Sequence, residues 1–207
     1  MCDELPTAYS LRYRTHLFYT EFDYQSVSCG RIYYPSRLID FKQTVDVSLV
    51  THLTTERLAS LDEVLSRWRG PASVALYVTD SEVYRFKQYL KHCPSVNRKN
   101  VAFHIVYQEG AIYPINQLKN VALTNVVTPF VLLVDADFIP ADDLYADLII
   151  AIKNQGDLRK KALIVPAFET FSYQLDFPNT KSELLQMLED DQIFSFKLVY
   201  HFYHLVN

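Results

Sequence analysis

Glycine is scarce in this sequence, with four residues among 207, and the four stand far apart. Phosphate-binding loops of the P-loop and Rossmann types need clustered glycines, because the backbone must approach the phosphates closely. The sequence therefore argues against both kinds of nucleotide site. Positive charge is not in excess either. The net charge of −4 offers no surface suited to duplex DNA or RNA, so no nucleic-acid partner is expected.

Cysteines and familiar catalytic spacings are also few. The three cysteines are widely separated and form no Cys-x-x-Cys pair. No Ser-His-Asp set, Cys-His pair or HExxH motif is present, so the catalytic residues stay unknown. Three carboxylates could serve as a general base, and the sequence around them selects none of the three: Glu109, Asp142 and Glu169. No secretory signal peptide, membrane-spanning run or other targeting signal is visible.

The sequence is instead rich in apolar and aromatic residues, which alternate between strand and helix patterns. Hydrophobic residues make up 49% of the chain, enough for a sizeable core. Residues 1–45 are irregular and predict a linker or an edge hairpin around Thr15–Tyr19. Strands are predicted at Val47–Thr51, Val74–Val78, Val101–Tyr107, Phe130–Val134 and Ala162–Val165. Helices are predicted from the Thr54–Thr55 cap to Trp68, after a capping box at Thr79–Glu82, over Ile115–Leu123 and Asp143–Lys153, and from Thr180 to Leu188. This alternation predicts an α/β fold with a mixed, mostly parallel sheet flanked by helices.

The apolar strand before residue 135 ends in Asp135-Ala136-Asp137. Aspartate is a poor strand former, so two of them at a strand tip need a reason. Mg²⁺ and Mn²⁺ commonly bind one or two carboxylates together with substrate phosphates. The motif therefore predicts a Mn²⁺ or Mg²⁺ site that holds a diphosphate. The alternative is a turn with a helix N-cap, a role that Asp142 and Asp143 would fill without a metal.

Other candidates lie near the same edge of the predicted sheet, where ligands of parallel sheets bind. His52 follows the first strand, although a plain hydrogen-bonding role at a strand end is the commoner one. Lys119 and Asn120, on the helix before the motif, would reach a phosphate or ribose, or else form an exposed face. A third metal ligand is not obvious. His201 and His204 lie in an aromatic tail and are weak candidates.

Several separated segments resemble the C-terminal catalytic domain of LARGE-type glycosyltransferases, which belong to glycosyltransferase family 49. The resemblance covers roughly residues 12–196, with its motifs in the family's order. The segments that carry it are Arg12–Phe18, Val45–Asp80, Val101–Asn120, Thr128–Pro140 and Lys160–Thr170.

The resemblance implies a GT-A fold, a UDP-sugar donor, Mn²⁺ and a Golgi type II membrane setting. It also implies a β-1,3-glucuronyltransferase that extends a xylose–glucuronate polymer of the matriglycan type, on O-mannosyl glycans of dystroglycan. Asp135 and Asp137 match the metal motif, with Ala136 where the family has a larger aliphatic residue. Donor-binding positions carried over from the family are Thr51, His52, Leu53, Asn116, Lys119 and Asn120.

The sequence departs from the family at both ends. Residues 1–45 are expected to be a linker, 46–196 a GT-A-like donor-binding domain incomplete at its C-terminus, and 197–207 a divergent aromatic tail. By this resemblance we expect residues 1–207 to include neither the segments that anchor the family in the membrane nor the half that binds the acceptor. We therefore expect a truncated product with the donor half of the site and little or no transferase activity alone.

Two other classes of function compete with this interpretation. One is a non-catalytic fragment or interaction module that folds without binding a donor. The other is a phosphatase of the haloacid dehalogenase class, which also places Asp-x-Asp after an apolar strand. Its nucleophilic aspartate usually lies near the start of its domain, whereas three strand–helix units precede Asp135 here.

Overall fold

The computed structural model describes residues 45–108, 112–126, 128–155, 158, 162–172 and 177–196, together with the backbone of 15–19. The chain forms two compact units, Met1–Gln155 and Gly156–Asn207. The domain boundaries predicted at residues 45 and 196 stay predictions. Across the described ranges, every helix falls short of the length and apolar character needed to cross a bilayer.

The first unit alternates strands and helices along the chain. Its strands are β1 (Thr15–Tyr19), β2 (Val47–Thr54), β3 (Ala72–Val78), β4 (Val101–Tyr107) and β5 (Phe130–Leu133). Its helices are α1 (Leu58–Arg67), α2 (Asp80–His92), α3 (Ile115–Thr124) and α4 (Leu144–Asn154). A single 3₁₀ turn, Thr55–Arg57, joins β2 to α1.

The five strands form one sheet in the order β1-β4-β3-β2-β5. Strands β2 to β5 run parallel, whereas β1 pairs antiparallel with β4, Thr15 lying opposite Val106. The predicted α/β fold, with a mixed and mostly parallel sheet, is confirmed. The strand β1 lies at the sheet edge, where the alternation around residues 15–19 suggested an edge element.

The direction in which strands are added reverses beside β2. The chain builds outward from β2 to β3 and β4, then returns so that β5 lies on the opposite side of β2. The amide of Val134 donates to the carbonyl of Val50 over 3.1 Å, which extends the β2–β5 pairing to the residue before Asp135. Open α/β sheets bind ligands beyond the carboxyl ends of strands at such a reversal. The β2–β5 junction is therefore where a ligand site is expected.

The helix α3 packs on β2 and β3 through Leu118, Val121 and Ala122. A buried polar chain fixes it there. The Ser73 hydroxyl donates to the carbonyl of Ala122 over 2.8 Å and lies 2.8 Å from His104 Nε2. Since that hydroxyl already donates, it accepts a hydrogen bond from Nε2–H of a neutral His104. Burial lowers the pKa of His104 to about 3, which keeps the imidazole neutral.

The ends of several elements differ from their predicted positions. The strand β2 continues three residues past Thr51, because it pairs with β3 as far as Thr54 and Tyr77. The predicted capping box at the start of α2 is confirmed. There the Glu82 carboxylate accepts a hydrogen bond from the amide of Thr79 over 2.8 Å.

The second unit contains α5 (Lys181–Glu189), β6 (Phe168–Glu169) and β7 (Phe194–Ser195). The capping box predicted at Thr180 is confirmed, and the amide of Glu183 donates to the Thr180 hydroxyl over 3.2 Å. The strand predicted at Ala162–Val165 is wrong, since 162–167 have no strand geometry and Ile164 is 92% exposed. Whether a short apolar run forms a strand depends on its context in a sheet, including a neighbouring strand to pair with. In this unit β7 pairs with β6, at residues 168–169, and not with residues 162–165.

Candidate functional site

Asp135 and Asp137 follow β5 at the carboxyl edge of the sheet. Ala136 between them is buried, whereas the two aspartate side chains are 54% and 59% exposed. Residues 135–138 form a turn, in which the amide of Phe138 donates to the carbonyl of Asp135 over 3.1 Å. The motif therefore presents two carboxylates to solvent from a backbone that the buried Ala136 holds against the sheet.

Three basic side chains from three different segments lie against these carboxylates. Lys119 Nζ, on α3, lies 3.1 Å from Asp135 Oδ1. His52 Nε2, on β2, lies 3.5 Å from the same oxygen. Arg57 Nη1, in the 3₁₀ turn after β2, lies 2.7 Å from Asp137 Oδ2. The carboxyl end of β2, the following turn and α3 thus converge on the Asp-x-Asp motif.

His52 links Asp135 to the interior of the sheet. Burial lowers its pKa, opposed first by the negative charge of Asp135 and, more weakly, by that of Asp137, while the charge of Lys119 lowers it further. A pKa below the ordinary value leaves His52 neutral at pH 7.

The second nitrogen of His52 contacts Tyr113, just before α3. Its Nδ1 lies 2.9 Å from the Tyr113 hydroxyl. The Tyr113 ring also packs edge-on against Tyr77, with centroids 5.4 Å apart. Burial is the main cause that raises the pKa of Tyr113 to about 12, so this hydroxyl stays protonated. Tyr113 thus orients the imidazole whose other nitrogen faces Asp135.

A polar cavity of about 190 Å³ lies along the carboxyl ends of β2, β3 and β4. It is lined by Thr54, Glu56, Tyr77, Glu82, Gln108 and Tyr113. Pockets for drug-sized ligands run from roughly 300 to 1,000 Å³, so this cavity has room for one ring-sized part of a larger molecule. Tyr113 belongs both to the cavity and to the His52 contact, so the two are adjacent.

The residues predicted to bind the donor have different surroundings. Thr51, His52 and Leu53 lie within β2 rather than after it, and all three side chains are buried. Leu53 belongs to the core. Asn116, Lys119 and Asn120 share one face of α3 by their spacing. Lys119 reaches Asp135, whereas Asn116 and Asn120 are exposed. Donor binding by these six residues stays a prediction.

The other carboxylates and histidines considered from the sequence lie elsewhere. Asp142 pairs with Arg67 Nη1 at 3.3 Å, and Glu169 belongs to the second unit. Glu109, His201 and His204 lie outside the described residues. Within the described part of the chain, no group of three His, Cys, Asp or Glu side chains is arranged to hold a metal ion. Asp135 and Asp137 thus have no third protein ligand among these residues.

Arg57 and Tyr113 were not identified from the sequence. Arg57 lies six residues after the predicted strand Val47–Thr51, near the edge where ligands of parallel sheets bind, and that position was the one indication in the sequence. Tyr113 lies directly before Pro114 and the predicted helix. Its contact with His52 spans 61 residues of chain, so no local pattern indicates it.

The sequence is similar to a known protein family. Residues 46–111 and 107–203 match the sequence model of a family described as glycosyl-transferase for dystroglycan. The match covers well over half of the chain and places it among the glycosyltransferases. More narrowly, the chain belongs to glycosyltransferase family 49. Of the three functional classes considered from the sequence, the comparisons favour the glycosyltransferase.

Individual relatives agree with this family. The xylosyl- and glucuronyltransferase LARGE2s of Danio rerio is 42% identical over 91% of this chain, and LARGE1 of Homo sapiens is 40% identical over 91%. The chain spans only 23% of the length of either protein. Among solved structures, S. aureus TarS 1–349 overlaps with a TM-score of 0.38 and 18% identity, covering 53% of this chain and 33% of that one. This overlap is too small to bear on function.

Proposed function

We propose that this chain carries the donor-binding part of a metal-dependent glycosyltransferase that uses a UDP-sugar. The sugar is glucuronate, and the acceptor is a xylose-ended, O-mannosyl-linked glycan on a dystroglycan-like glycoprotein in the Golgi lumen. The observation that carries the proposal is the pair Asp135 and Asp137 at the β2–β5 junction, surrounded by His52, Arg57 and Lys119. The relatives, named for xylosyl- and glucuronyl transfer, support the choice of sugars.

The donor set at the junction fits a hard divalent cation. It consists of two carboxylates more than half exposed to solvent. Mg²⁺ and Mn²⁺ are typically bound by one or two carboxylates, with waters and substrate phosphates completing the coordination. Asp135 and Asp137 would hold the ion, and the diphosphate of the donor would complete its ligands. When bound, the cation stabilises the negative charge that develops on the leaving diphosphate.

Protein side chains supply the rest of the charge at this site. The ammonium of Lys119, 3.1 Å from Asp135, brings positive charge to the place where the diphosphate would lie. His52 stays neutral because it is buried, so it donates or accepts a hydrogen bond without adding charge. Tyr113 fixes the orientation of that imidazole through a contact of 2.9 Å. These residues would bind and orient the diphosphate before the glycosidic bond breaks.

The neighbouring cavity suits the base of the donor. Its volume of about 190 Å³ is too small for a whole sugar nucleotide and adequate for a pyrimidine ring. Tyr77 and Tyr113 offer aromatic surface, and the Gln108 side-chain amide both donates and accepts hydrogen bonds. A uracil in this cavity would place the diphosphate toward Asp135 and Asp137.

Calorimetric titration with UDP in the presence of Mn²⁺ tests the proposal. We expect Asp135→Asn and Asp137→Asn each to weaken UDP binding by at least about tenfold, since an amide replaces an ionic metal ligand with a neutral one. Asp142→Asn is the matched control, because Asp142 is also an exposed aspartate paired with an arginine. It should bind UDP as the wild type does.

The outcomes separate the alternatives. Binding of UDP that is lost in both motif variants and kept in the control supports a donor site. Heat of binding in none of the proteins supports a non-catalytic interaction module instead. Binding that does not depend on Mn²⁺ or on either aspartate contradicts the proposed metal site.

A further inference from the structure

Arg57 occupies an unusual position in the proposed site. Its guanidinium lies 2.7 Å from Asp137 Oδ2, a shorter contact than the 3.1 Å between Lys119 and Asp135. Both partners are more than half exposed, Arg57 by 54% and Asp137 by 59%. The oxygen that Arg57 contacts belongs to one of the two carboxylates proposed to bind the metal. A cation at Asp137 and the guanidinium of Arg57 would therefore compete for the same carboxylate.

Electrostatics decides what happens to Arg57 in that competition. A divalent cation on Asp137 takes up the negative charge of the carboxylate and repels a guanidinium beside it. A donor bound to that metal brings two adjacent phosphates to the same place. Arginine matches phosphate oxygens with two parallel hydrogen bonds, which makes the diphosphate a natural new partner.

The backbone at Arg57 is held in place by hydrogen bonds, so an exchange of partners needs only the side chain to move. The 3₁₀ turn Thr55–Arg57 is tied to α2, because the Thr55 hydroxyl donates to the Glu82 carboxylate. Glu82 is itself held by the capping box at Thr79. The base of the side chain is thus fixed at the sheet edge, while the exposed guanidinium contacts solvent and can change partner by rotation of the side chain alone.

We propose that Arg57 is a donor-binding residue that exchanges partners. It pairs with Asp137 in the structure, and it binds the donor diphosphate when a divalent cation occupies Asp135 and Asp137. This inference rests on the proposed function and extends it to a residue outside the metal motif. It makes metal and nucleotide binding cooperative, because the metal releases the guanidinium that the nucleotide then binds.

The test compares Arg57→Gln with Arg67→Gln by calorimetry on the full chain. Arg67 is the matched control, since it also pairs with an exposed aspartate, Asp142, at 3.3 Å. Mn²⁺ is titrated alone, and UDP is titrated with Mn²⁺ present. Circular dichroism confirms that each variant is folded.

The two titrations should change in opposite directions. Arg57→Gln removes a competitor from Asp137, so Mn²⁺ alone should bind about two- to fivefold more tightly, the worth of an exposed ion pair. The same variant lacks a charged phosphate contact, so UDP with Mn²⁺ should bind about tenfold more weakly. Arg67→Gln should match the wild type in both titrations. Arg57→Lys, which keeps the charge but loses the paired geometry, should bind UDP with intermediate affinity.

Each outcome has a distinct meaning. If the wild type binds UDP with Mn²⁺ but Arg57→Gln behaves as Arg67→Gln does, the role of Arg57 is refuted while the donor site stands. Weaker binding of Mn²⁺ alone by Arg57→Gln would also refute the exchange, since it would show Arg57 to support the carboxylates rather than compete for them. Absence of UDP binding by the wild type refutes this inference together with the proposed function.

Discussion

His104 is fully buried in β4, where its imidazole holds α3 through Ser73. Its position inside the apolar strand 101–107 is typical of a histidine in the core or on a face of the sheet, and the structure places it in the core. The hydrogen-bond partner was not predictable. Ser73 is 31 residues away, and only the pairing of β3 with β4 brings the two side chains together.

Burial of His104 makes stability depend on pH. Its pKa is about 3 in the folded protein and 6.5 in the unfolded chain, so below pH 6.5 the unfolded state binds a proton that the folded state does not. Stability therefore falls as the pH falls from 6.5 toward 3, by up to about 1.4 kcal/mol per pH unit from this residue. We predict that His104→Gln reduces this slope. Urea denaturation between pH 4.5 and 7.5 measures it.

The control for this prediction is Ser73→Ala. It removes the hydrogen bond to His104 but leaves the imidazole buried, so the protein should be less stable at every pH while the slope remains. His104→Gln itself should be less stable than the wild type at pH 7, by about 1–3 kcal/mol, because a buried hydroxyl loses its partner. A wild-type slope in His104→Gln would show that other groups produce the acid sensitivity.

At the carboxyl edge of the sheet, the sequence pattern identified the two aspartates of the site and missed the arginine beside them. Asp135 and Asp137 stood out in the sequence because aspartate is rare at the tip of an apolar strand. Arg57 did not stand out, because a single exposed arginine in a turn is ordinary. Its importance comes from a 2.7 Å contact across 80 residues of chain, which depends on β2 and β5 being neighbours.

At the level of secondary structure, the turn between α1 and β3 depends on Gly70. A Cβ at this position would overlap the ring of Tyr145. That ring has little freedom, because it packs edge-on against Trp68 with centroids 5.2 Å apart and its hydroxyl donates to Asp46 over 2.8 Å. Gly70 therefore allows a close approach of the turn to α4.

We predict that Gly70→Ala lowers the free energy of unfolding by about 1–3 kcal/mol, the usual cost of overpacking. The cost should shrink in a Tyr145→Leu background, where the smaller side chain leaves room for the methyl group. Urea denaturation of the two single variants and the double variant measures this coupling. An equal cost in both backgrounds would show that the strain lies in the backbone rather than against the ring.

Elements with long periodic patterns were predicted well, and one short run was not. The strand β4 has the predicted bounds, α3 differs from its prediction by one residue at its C-terminal end, and α4 differs by one residue at each end. Each of these segments carries its apolar spacing within the segment itself. The run Ala162–Val165 is only four residues long, so its conformation depends on a partner strand that a local pattern does not specify.

For the molecule as a whole, the proposed donor site lies within a single unit. The side chains assigned to it, from His52 to Asp137, all belong to Met1–Gln155. We predict that a fragment ending at Gln155 binds UDP with Mn²⁺ as tightly as the full chain. Calorimetry on the fragment, with its fold checked by circular dichroism, measures this. Weaker binding by a folded fragment would show that residues after Gln155 contribute to the donor site.

Family membership and fold class were both within reach of the sequence. The α/β class followed from regular alternation of strands and helices, and the family followed from several motifs in a constant order. Both depend on residues close together in the chain. The GT-A fold, the metal and the donor sugar implied by the resemblance stay predictions, and the titrations above test the metal and the UDP part of the donor.

Local patterns were sufficient to indicate the central strands β2 to β5, the helices, the capping boxes and the Asp-x-Asp motif, because each depends on side chains within a few residues of one another. Folding alone decided that β5 lies beside β2, that α3 brings Lys119 to Asp135, and that Arg57 meets Asp137. The physical reason is that ion pairs and buried hydrogen bonds depend on distances across the sheet. Those distances arise only when the apolar faces of sheet and helices pack together.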